Sequence, residues 1–596
     1  MILSGWDWVF IIGFFVFSLS IGLAVSKRAG RSPSEFFLSG RNMPWWLLGI
    51  SMVATTFSTD TPNLVTDIVR QKGVAGNWTW WAFLLTGMLT VFVYAKLWRR
   101  SGVVTDLEFY ELRYSGRAAA FLRGFRALYL GVFFNVLIMA TVSLAIIKIG
   151  GVMLHLTPVE SLIFASLVTV LYSTLGGLRG VLITDFFQFI IAMIGAVGAA
   201  LVAIKLPQVG GWHNLLRQAA VAPRLALLPD FSNSEAVLTL LVLPLAVQWW
   251  SVWYPGAEPG GGGYIVQRML SAKTEKHAIG ASFLFNISHY ALRPWPWIIV
   301  ALCSLVVFPD LASLQAAFPH IDPGVIRHDL AYPAMLSFLP HGLLGLVAAS
   351  LFAAFMSTIS THLNWGSSYI VNDFYKRFIN PRADAKNQVF VGRLSTVLLM
   401  VCAGLMALAL SNALQAFHIL LQIGAGTGLL FILRWFWWRI NPYSEITAMA
   451  VSFVIALYFQ IIHPHTGLPA ISLSAQLLAG VGITTISWLG VTLMTRPSET
   501  ATLRAFYRLI QPGGPGWKRI IQEAYEDGEP LEKPGQPWDV PTGILCMVLA
   551  CFSVYSILFA TGYWFYGNHV PAVILSTIAF VSTFLLIKAW NRLRTH

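Results

Sequence analysis

Long apolar segments recur from one end of the chain to the other, and they constrain its fold more than any other feature. A helix needs about 20 mostly apolar residues to cross a hydrocarbon core of roughly 30 Å. The chain has 596 residues, of which 56% are hydrophobic and 11% charged, whereas a soluble domain carries roughly 25% charged residues. Open loops and sheet edges cannot face lipid, so long apolar segments cross membranes as helices. The sequence therefore predicts an all-α integral membrane protein.

Hydropathy predicts about 15 transmembrane helices. They cover residues 5–27, 42–70, 77–98, 118–152, 157–175, 178–206, 235–272, 277–309, 333–376, 388–411, 413–437, 441–462, 471–494, 541–563 and 567–590. The first segment has no basic stretch before it and ends at Lys27 and Arg28. It is therefore interpreted as a membrane anchor, and not as a cleaved signal peptide.

Basic residues set the predicted topology. Clusters of Lys and Arg follow the first, third, seventh and ninth segments. All of them reach the cytoplasm if the N-terminus lies outside, and the C-terminus is then cytoplasmic as well. This topology accounts for the net charge of +13 without a nucleic-acid partner, which would need a basic soluble face. We expect a monomeric, multi-pass protein of the cell membrane, surrounded by the lipid bilayer.

Catalytic and metal-binding motifs are not found in the sequence. The four cysteines lie in apolar segments without metal-ligand spacing, so neither disulfides nor zinc are predicted. There is no Ser/His/Asp arrangement and no HExxH motif. His289, Arg293 and His362 are interpreted as polar packing residues. The chain is therefore not predicted to be an enzyme, and an intramembrane enzyme is the alternative that these absences disfavour.

Two predicted segments are interrupted by residues that disfavour a continuous helix. The second contains hydroxyl residues, Asp60 and Pro62 within 55–63, which are costly in lipid unless they line a cavity or are buried in protein. The seventh contains two prolines and five glycines within 254–264. The alternative for the seventh is an extracellular loop followed by an amphipathic cytoplasmic segment.

Interrupted helices in corresponding halves of a chain are typical of inverted-repeat transporters. The two interrupted segments are five segments apart, which predicts one repeat over 42–206 and a second over 235–437 within a core of residues 1–494. A cytoplasmic loop at 495–540 and two additional helices within 541–596 follow. In such folds, the unwound backbone at the two breaks binds the ion and the solute near the middle of the membrane.

Small and hydroxyl residues share one face of the ninth segment. Ala354, Ser357, Thr358 and Thr361 follow helical spacing, with Ser360 at the edge of the stripe. Hydroxyl oxygens suit a hard cation such as sodium. Close helix packing is the alternative, because small residues at this spacing also favour it.

Asp185 is an acidic residue within the otherwise apolar sixth segment. An ionisable group at such a depth suggests a functional site. A purely structural ion pair with Arg179 is the alternative.

Three stretches of the sequence resemble the sodium:solute symporter family, whose members share a LeuT-type inverted-repeat fold. They are the Gly-Gly-Leu-Arg-Gly-Val…Thr-Asp-x-x-Gln stretch at 176–188, Tyr-Ile-Val-Gln-Arg at 264–268, and Ala-x-x-Ser-Thr-x-Ser-Thr-x-Leu-Asn at 354–364. The resemblance extends over roughly residues 5–494. It implies a core of two five-helix repeats, with one helix before them and four after them.

The resemblance also implies a sodium site. Its ligands would be the backbone carbonyls of Ala54, Phe57 and Ala354 and the hydroxyls of Ser357 and Thr358. A possible second sodium site comprises Asp185, Ser357, Ser360 and Thr361. Sodium is the expected coupling ion, and no other cofactor is expected.

The expected activity is sodium-coupled import of a small polar organic solute, such as a sugar, polyol or amine. The predicted substrate and gate residues are Thr56, Asp60, Thr61, Trp81, Glu258 and Tyr264. Tyr264 matches the aromatic residue that closes the inner side of the family's substrate site. Thr56 departs from the asparagine of sugar-transporting relatives and from the aspartate of proline-transporting ones, so the motif does not identify the solute. A sodium-independent facilitator or channel and a solute sensor remain alternatives.

Overall fold

In the computed structural model, described residues are 3–154, 156–251, 258–319, 321, 323–324, 326–410, 424, 426–532 and 538–593. Within these ranges the regular structure is helical, with one isolated β-bridge between Met43 and Ala272. The main helices, numbered in chain order, are α1 Gly5–Ala29, α2 Trp45–Thr56, α3 Asp60–Lys72, α4 Val74–Ser101, α5 Gly116–Leu154, α6 Pro158–Lys205, α7 Ser234–Ala246, α8 Gly263–Ser271, α9 Glu275–Val307, α10 Leu343–Ile379, α11 Ala385–Ala409, α12 Gly428–Leu433, α13 Pro442–His465, α14 Leu473–Met494, α15 Thr500–Ile510, α16 Lys518–Glu526, α17 Val540–Tyr566 and α18 His569–Trp590.

Eleven of the described helices are long and apolar enough to cross a membrane. Each matches one or two of the fifteen predicted segments. Four predicted segments account for the difference. The two interrupted segments and the segment at 413–437 have no matching long helix among the described residues, and α6 covers two predicted segments at once. Residues 411–423 and 425 of that last segment lie outside the described residues, so the predicted total of about 15 stays a prediction.

The second predicted segment forms two helices separated by a break. α2 ends at Thr56, the backbone of Phe57 is non-helical, and α3 begins at Asp60. At 1.5 Å per residue, each piece spans only about 18–20 Å, too short to cross a membrane alone. The break lies on the N-terminal side of Pro62. Proline is tolerated in the first turn of α3, because a helix leaves its first backbone N–H groups without intrahelical acceptors.

The seventh predicted segment is also interrupted. α7 ends at Ala246, residues 258–262 are not helical, and α8 begins at Gly263. Residues 252–257, which hold part of the predicted break, lie outside the described residues. The described flanks thus place short helices on both sides of the interruption.

α6 changes direction at Gly177. Its 48 residues would extend about 72 Å if straight, more than twice the thickness of a hydrocarbon core. Gly177 has φ 53° and ψ −161°, and a Cβ there would lie 2.8 Å from the carbonyl oxygen of Phe36. Glycine is therefore required both for the conformation and for the close approach. The turn falls between the two segments predicted at 157–175 and 178–206.

The core of the bundle forms around α10. This helix packs against α6, α1, α5 and α2, and its residues from 347 to 369 are buried. The two C-terminal helices, α17 and α18, pack against each other, and α17 contacts α4. The fold thus brings the break between α2 and α3 beside the hydroxyl-bearing face of α10.

Candidate functional site

The hydroxyl of Thr358 connects α10 to the end of α2. Its Oγ1 donates to the carbonyl oxygen of Thr55 at 2.7 Å and to that of Ala354, one turn earlier in α10, at 3.1 Å. Thr358 is 3% exposed. Three oxygen atoms from two helices therefore meet at the point where α2 loses its helical conformation, and oxygen atoms are the ligands that hard cations prefer.

The predicted sodium ligands differ in whether they belong to this oxygen cluster or bond to other groups. Ala354 and Thr358 are in the oxygen cluster itself. The carbonyl oxygen of Ala54 accepts the backbone N–H of Phe57 at 3.1 Å, where α2 ends. The Ser357 hydroxyl donates to the carboxylate of Asp185 at 2.6 Å. The carbonyl that contacts Thr358 belongs to Thr55, which the sequence did not identify as a ligand.

Asp185 lies in a second buried polar cluster, formed by four helices. Its carboxylate accepts hydrogen bonds from Ser357 of α10 and from Ser51 of α2. Arg268 of α8 places Nη2 3.8 Å from the same carboxylate and donates to Thr361 Oγ1 at 2.7 Å. Asp185 and Arg268 are both fully buried. The charge partner of Asp185 is therefore Arg268, and not the Arg179 considered from the sequence.

This cluster occupies the position of the predicted second sodium site. Thr361 accepts from Arg268 and also bonds to Thr55 Oγ1 at 2.9 Å, while Ser360 donates to the Ser357 carbonyl at 3.1 Å. The guanidinium of Arg268 thus lies beside the oxygen atoms that a second sodium would use. Removing one partner from a buried ion pair is strongly destabilising, typically by about 3–5 kcal/mol.

A cavity of about 170 Å³ lies beside the break in the first interrupted helix and is lined by residues of α3, α4, α5 and α9. Four predicted substrate or gate residues line it, namely Thr56, Asp60, Thr61 and Tyr264. Thr358 lines it as well, so the cavity is continuous with the oxygen cluster.

Two other predicted substrate residues lie elsewhere. Glu258 is 4% exposed and pairs with Arg126 of α5, away from the residues that line the cavity. Trp81 is fully buried and packs against Trp78, whereas its neighbour Trp80 lines the cavity. Adjacent residues of one helix point in different directions, so tryptophan content alone could not identify the lining residue.

Arg293, His289 and His362 line the cavity, although the sequence suggested only polar packing. Arg293 donates from Nη1 to Thr56 Oγ1 at 3.2 Å and from Nη2 to His289 Nδ1 at 2.5 Å. His362 contacts Asn135 of α5 at 2.6 Å. An arginine within an apolar segment is itself a signal of function, and that signal could have identified Arg293 from the sequence.

An ion pair lines the cavity toward the C-terminal end of α5. Lys148 of α5 lies 2.6 Å from Asp329, and both residues line the cavity. Lys148 is at the end of α5 opposite the basic residues Arg123 and Arg126. The cavity therefore reaches from the oxygen cluster toward the end of the bundle that the predicted topology places outside.

The family model of the sodium:solute symporter family matches residues 36–452. The sodium/glucose cotransporter of Vibrio parahaemolyticus is 26% identical over 465 residues, which cover 74% of this chain and 82% of that protein. A sodium/mannose cotransporter of Bos taurus is 27% identical over 494 residues, with 77% and 80% coverage. A solved structure of a Na+-coupled sialic acid symporter has the same fold, with a TM-score of 0.64, 19% identity and coverage of 83% of this chain and 99% of that one.

Proposed function

Because the chain belongs to the sodium:solute symporter family, we propose that it imports a small polar solute with sodium by alternating access. Its relatives are transporters, and the chain is a multi-pass membrane transporter and not an enzyme. The expected solutes are hydroxyl- or amine-bearing molecules, and the similarity to sodium/glucose and sodium/mannose cotransporters supports the former. The N-terminus is proposed to lie outside and the C-terminus in the cytoplasm.

The observation that carries the proposal is the Thr358 hydroxyl bonded to the Thr55 carbonyl across two helices. A sodium ion placed among these oxygens would replace the hydrogen bonds with ion contacts and hold α2 against α10. Because Thr56 and Thr358 also line the solute cavity, ion binding would fix the wall that contacts the solute. The ion and the solute would thereby stabilise the same state, as reciprocal coupling requires.

We place one sodium in this site for each transported solute. The Arg268 guanidinium supplies a fixed positive charge beside Asp185, Ser357 and Thr361. A second sodium there would face a like charge at close range, which is unfavourable in a site of low dielectric. The second site would become available only in a state in which Arg268 has moved away.

The proposal is tested by the thermal stability of the purified protein with a metabolite library in sodium, potassium or choline salts. We expect at least one solute to raise the melting temperature in sodium and to have no effect in the other salts. Sodium alone should produce a smaller rise, because it binds the same state. Equal stabilisation in all three salts would contradict coupling and indicate a facilitator or a sensor.

A further inference from the structure

Arg293 is a buried cation beside the solute cavity, and none of the described carboxylates forms an ion pair with it. It is 1% exposed, and among the described residues no carboxylate oxygen lies within 4.0 Å of its guanidinium. Its Nε has no hydrogen-bond partner in the part of the chain that the structure describes. A buried charge is strongly disfavoured unless it is paired. The buried Arg126 and Arg268 each have a carboxylate partner, whereas Arg113 donates to backbone carbonyl oxygens.

The groups that contact Arg293 do not cancel its charge. They are the Thr56 hydroxyl, the Val53 carbonyl at 3.4 Å and the imidazole of His289. An imidazole nitrogen that accepts a hydrogen bond from a guanidinium is unprotonated, so His289 contributes no compensating charge. All the direct partners among the described residues are therefore neutral, and the positive charge of Arg293 lies at the cavity wall.

The local helix geometry directs Arg293 and His289 toward the cavity. Residues Ser288–Leu292 form a π-helical turn immediately before Arg293. Such turns inside α-helices frequently occur at functional sites. Pro294 follows at the start of the next α-helical stretch, where its missing N–H is tolerated. The guanidinium also lies 5.4 Å from the ring centre of Trp297. This ring contacts the guanidinium, while Nε has no hydrogen-bond partner among the described residues.

Asp60 contributes the opposite charge to the same cavity. Its Oδ1 has no hydrogen-bond partner among the described residues, and it begins α3, where the helix dipole favours a negative charge. Asp60 and Arg293 do not form an ion pair within 4.0 Å of each other, although both line the cavity. The cavity thus presents a separated cation and anion, and a small dipolar molecule between them would satisfy both.

We propose that the transported solute carries a carboxylate that binds Arg293 and a hydroxyl or ammonium donor that binds Asp60. The inference rests on the proposed symport function and names the substrate class as small amino acids or sugar acids. A guanidinium suits this task because its planar N–H groups bind a carboxylate in two places at once. Glu258, which the sequence placed with Asp60 among the substrate and gate residues, is paired with Arg126 instead.

Matched solute pairs test the proposal on the intact purified protein in sodium. The probes are L-alanine against L-alaninamide, L-proline against L-prolinamide, gluconate against sorbitol, and glucuronate against glucose. We expect stabilisation by an acid and none by its partner that lacks the carboxylate. If a partner that lacks the carboxylate stabilises the protein as much as its acid does, or more, the proposal is overturned. Sodium coupling would not be affected by that result. Failure of all eight probes would overturn it as well, whereas failure of the whole library in sodium would refute the symport function.

Variants of Arg293 separate a role in recognition from a role in folding. Arg293→Gln should weaken binding of the acid about 10- to 100-fold, because the charged hydrogen bonds to the carboxylate are lost. Arg293→Lys keeps the charge but loses the planar pair of N–H donors, so the loss of affinity for the acid should be smaller than in Arg293→Gln. Sodium-induced stabilisation should persist in both variants. The matched control is Arg382→Gln, which alters an exposed arginine. Unchanged binding of the acid by Arg293→Gln would overturn the proposal. If that variant does not fold, the comparison of the solute pairs on the wild-type protein tests the proposal.

Discussion

At the scale of single residues, Thr358 has the most direct predicted effect on sodium binding. Thr358→Val keeps the shape of the side chain and removes the oxygen that bonds to Thr55 and Ala354. We expect the sodium concentration for half-maximal stabilisation to rise about tenfold or more, because an ion–oxygen contact is lost. Thr358→Ser is the matched control and should stay close to wild type. Equal sodium dependence in Thr358→Val and wild type would remove Thr358 from the ion site.

Sequence reasoning identified some members of the site and missed others, for a physical reason. Thr358, Asp60 and Tyr264 could be found because hydroxyl, acidic and aromatic residues occur there in a recognisable motif or helix break. The partner of Asp185 could not, because Arg268 lies 83 residues away and reaches it only through the packing of α8 against α2. Arg293 was visible as a charge in an apolar segment, but only the structure shows that it has no carboxylate partner among the described residues.

At the scale of helices, the first transmembrane helix holds the start of α10 in place. Asp7 Oδ1 accepts the backbone N–H groups of Gly342 and Gly345 at 2.7 Å each. These bonds satisfy groups that a helix leaves without partners at its N-terminus. α10 carries Ser357 and Thr358, so the contact with α1 supports the helix on which the sodium site is built.

Gly345 allows this close contact between α1 and α10. A Cβ at Gly345 would lie 2.3 Å from the Cα of Asp7, so Gly345→Ala must push the two helices apart. We expect it to lower the free energy of unfolding by about 1–3 kcal/mol, measured as a lower melting temperature. Gly404→Ala is the control, because nothing lies within 4 Å of a Cβ there. It should leave stability unchanged or raise it by about 0.5–1 kcal/mol. Equal effects of the two changes would contradict the close contact.

The interrupted helices show how far sequence patterns determine elements. The cluster of hydroxyls before Pro62 correctly predicted a break in the second segment. Its position, at Phe57 and just before Asp60, depends on contacts with α10 that no local pattern contains. The boundary between the predicted segments 157–175 and 178–206 coincides with Gly177, where the backbone is not helical and two helical stretches meet. The five-plus-five repeat remains a prediction based on the family resemblance.

At the scale of the whole molecule, the two polar clusters and the cavity form one connected region. Thr55 contacts both Thr358 at the proposed sodium site and Thr361 beside Arg268. Thr56 lines the cavity and contacts Arg293. A single turn at the end of α2 therefore contacts the ion site, the buried Asp185 cluster and the solute cavity. Displacement of this turn would alter all three sites together, which is what coupled transport requires.

The most direct test of sodium-coupled transport uses proteoliposomes and a solute identified by stabilisation. The membrane potential is held at zero, and an inward tenfold sodium gradient is imposed. One coupled sodium should raise the internal solute concentration to about ten times the external value, since each tenfold ratio corresponds to about 1.4 kcal/mol. Collapse of the sodium gradient should release the accumulated solute. Equilibration of the solute to equal concentrations, with or without the gradient, would contradict coupled transport and identify a facilitator.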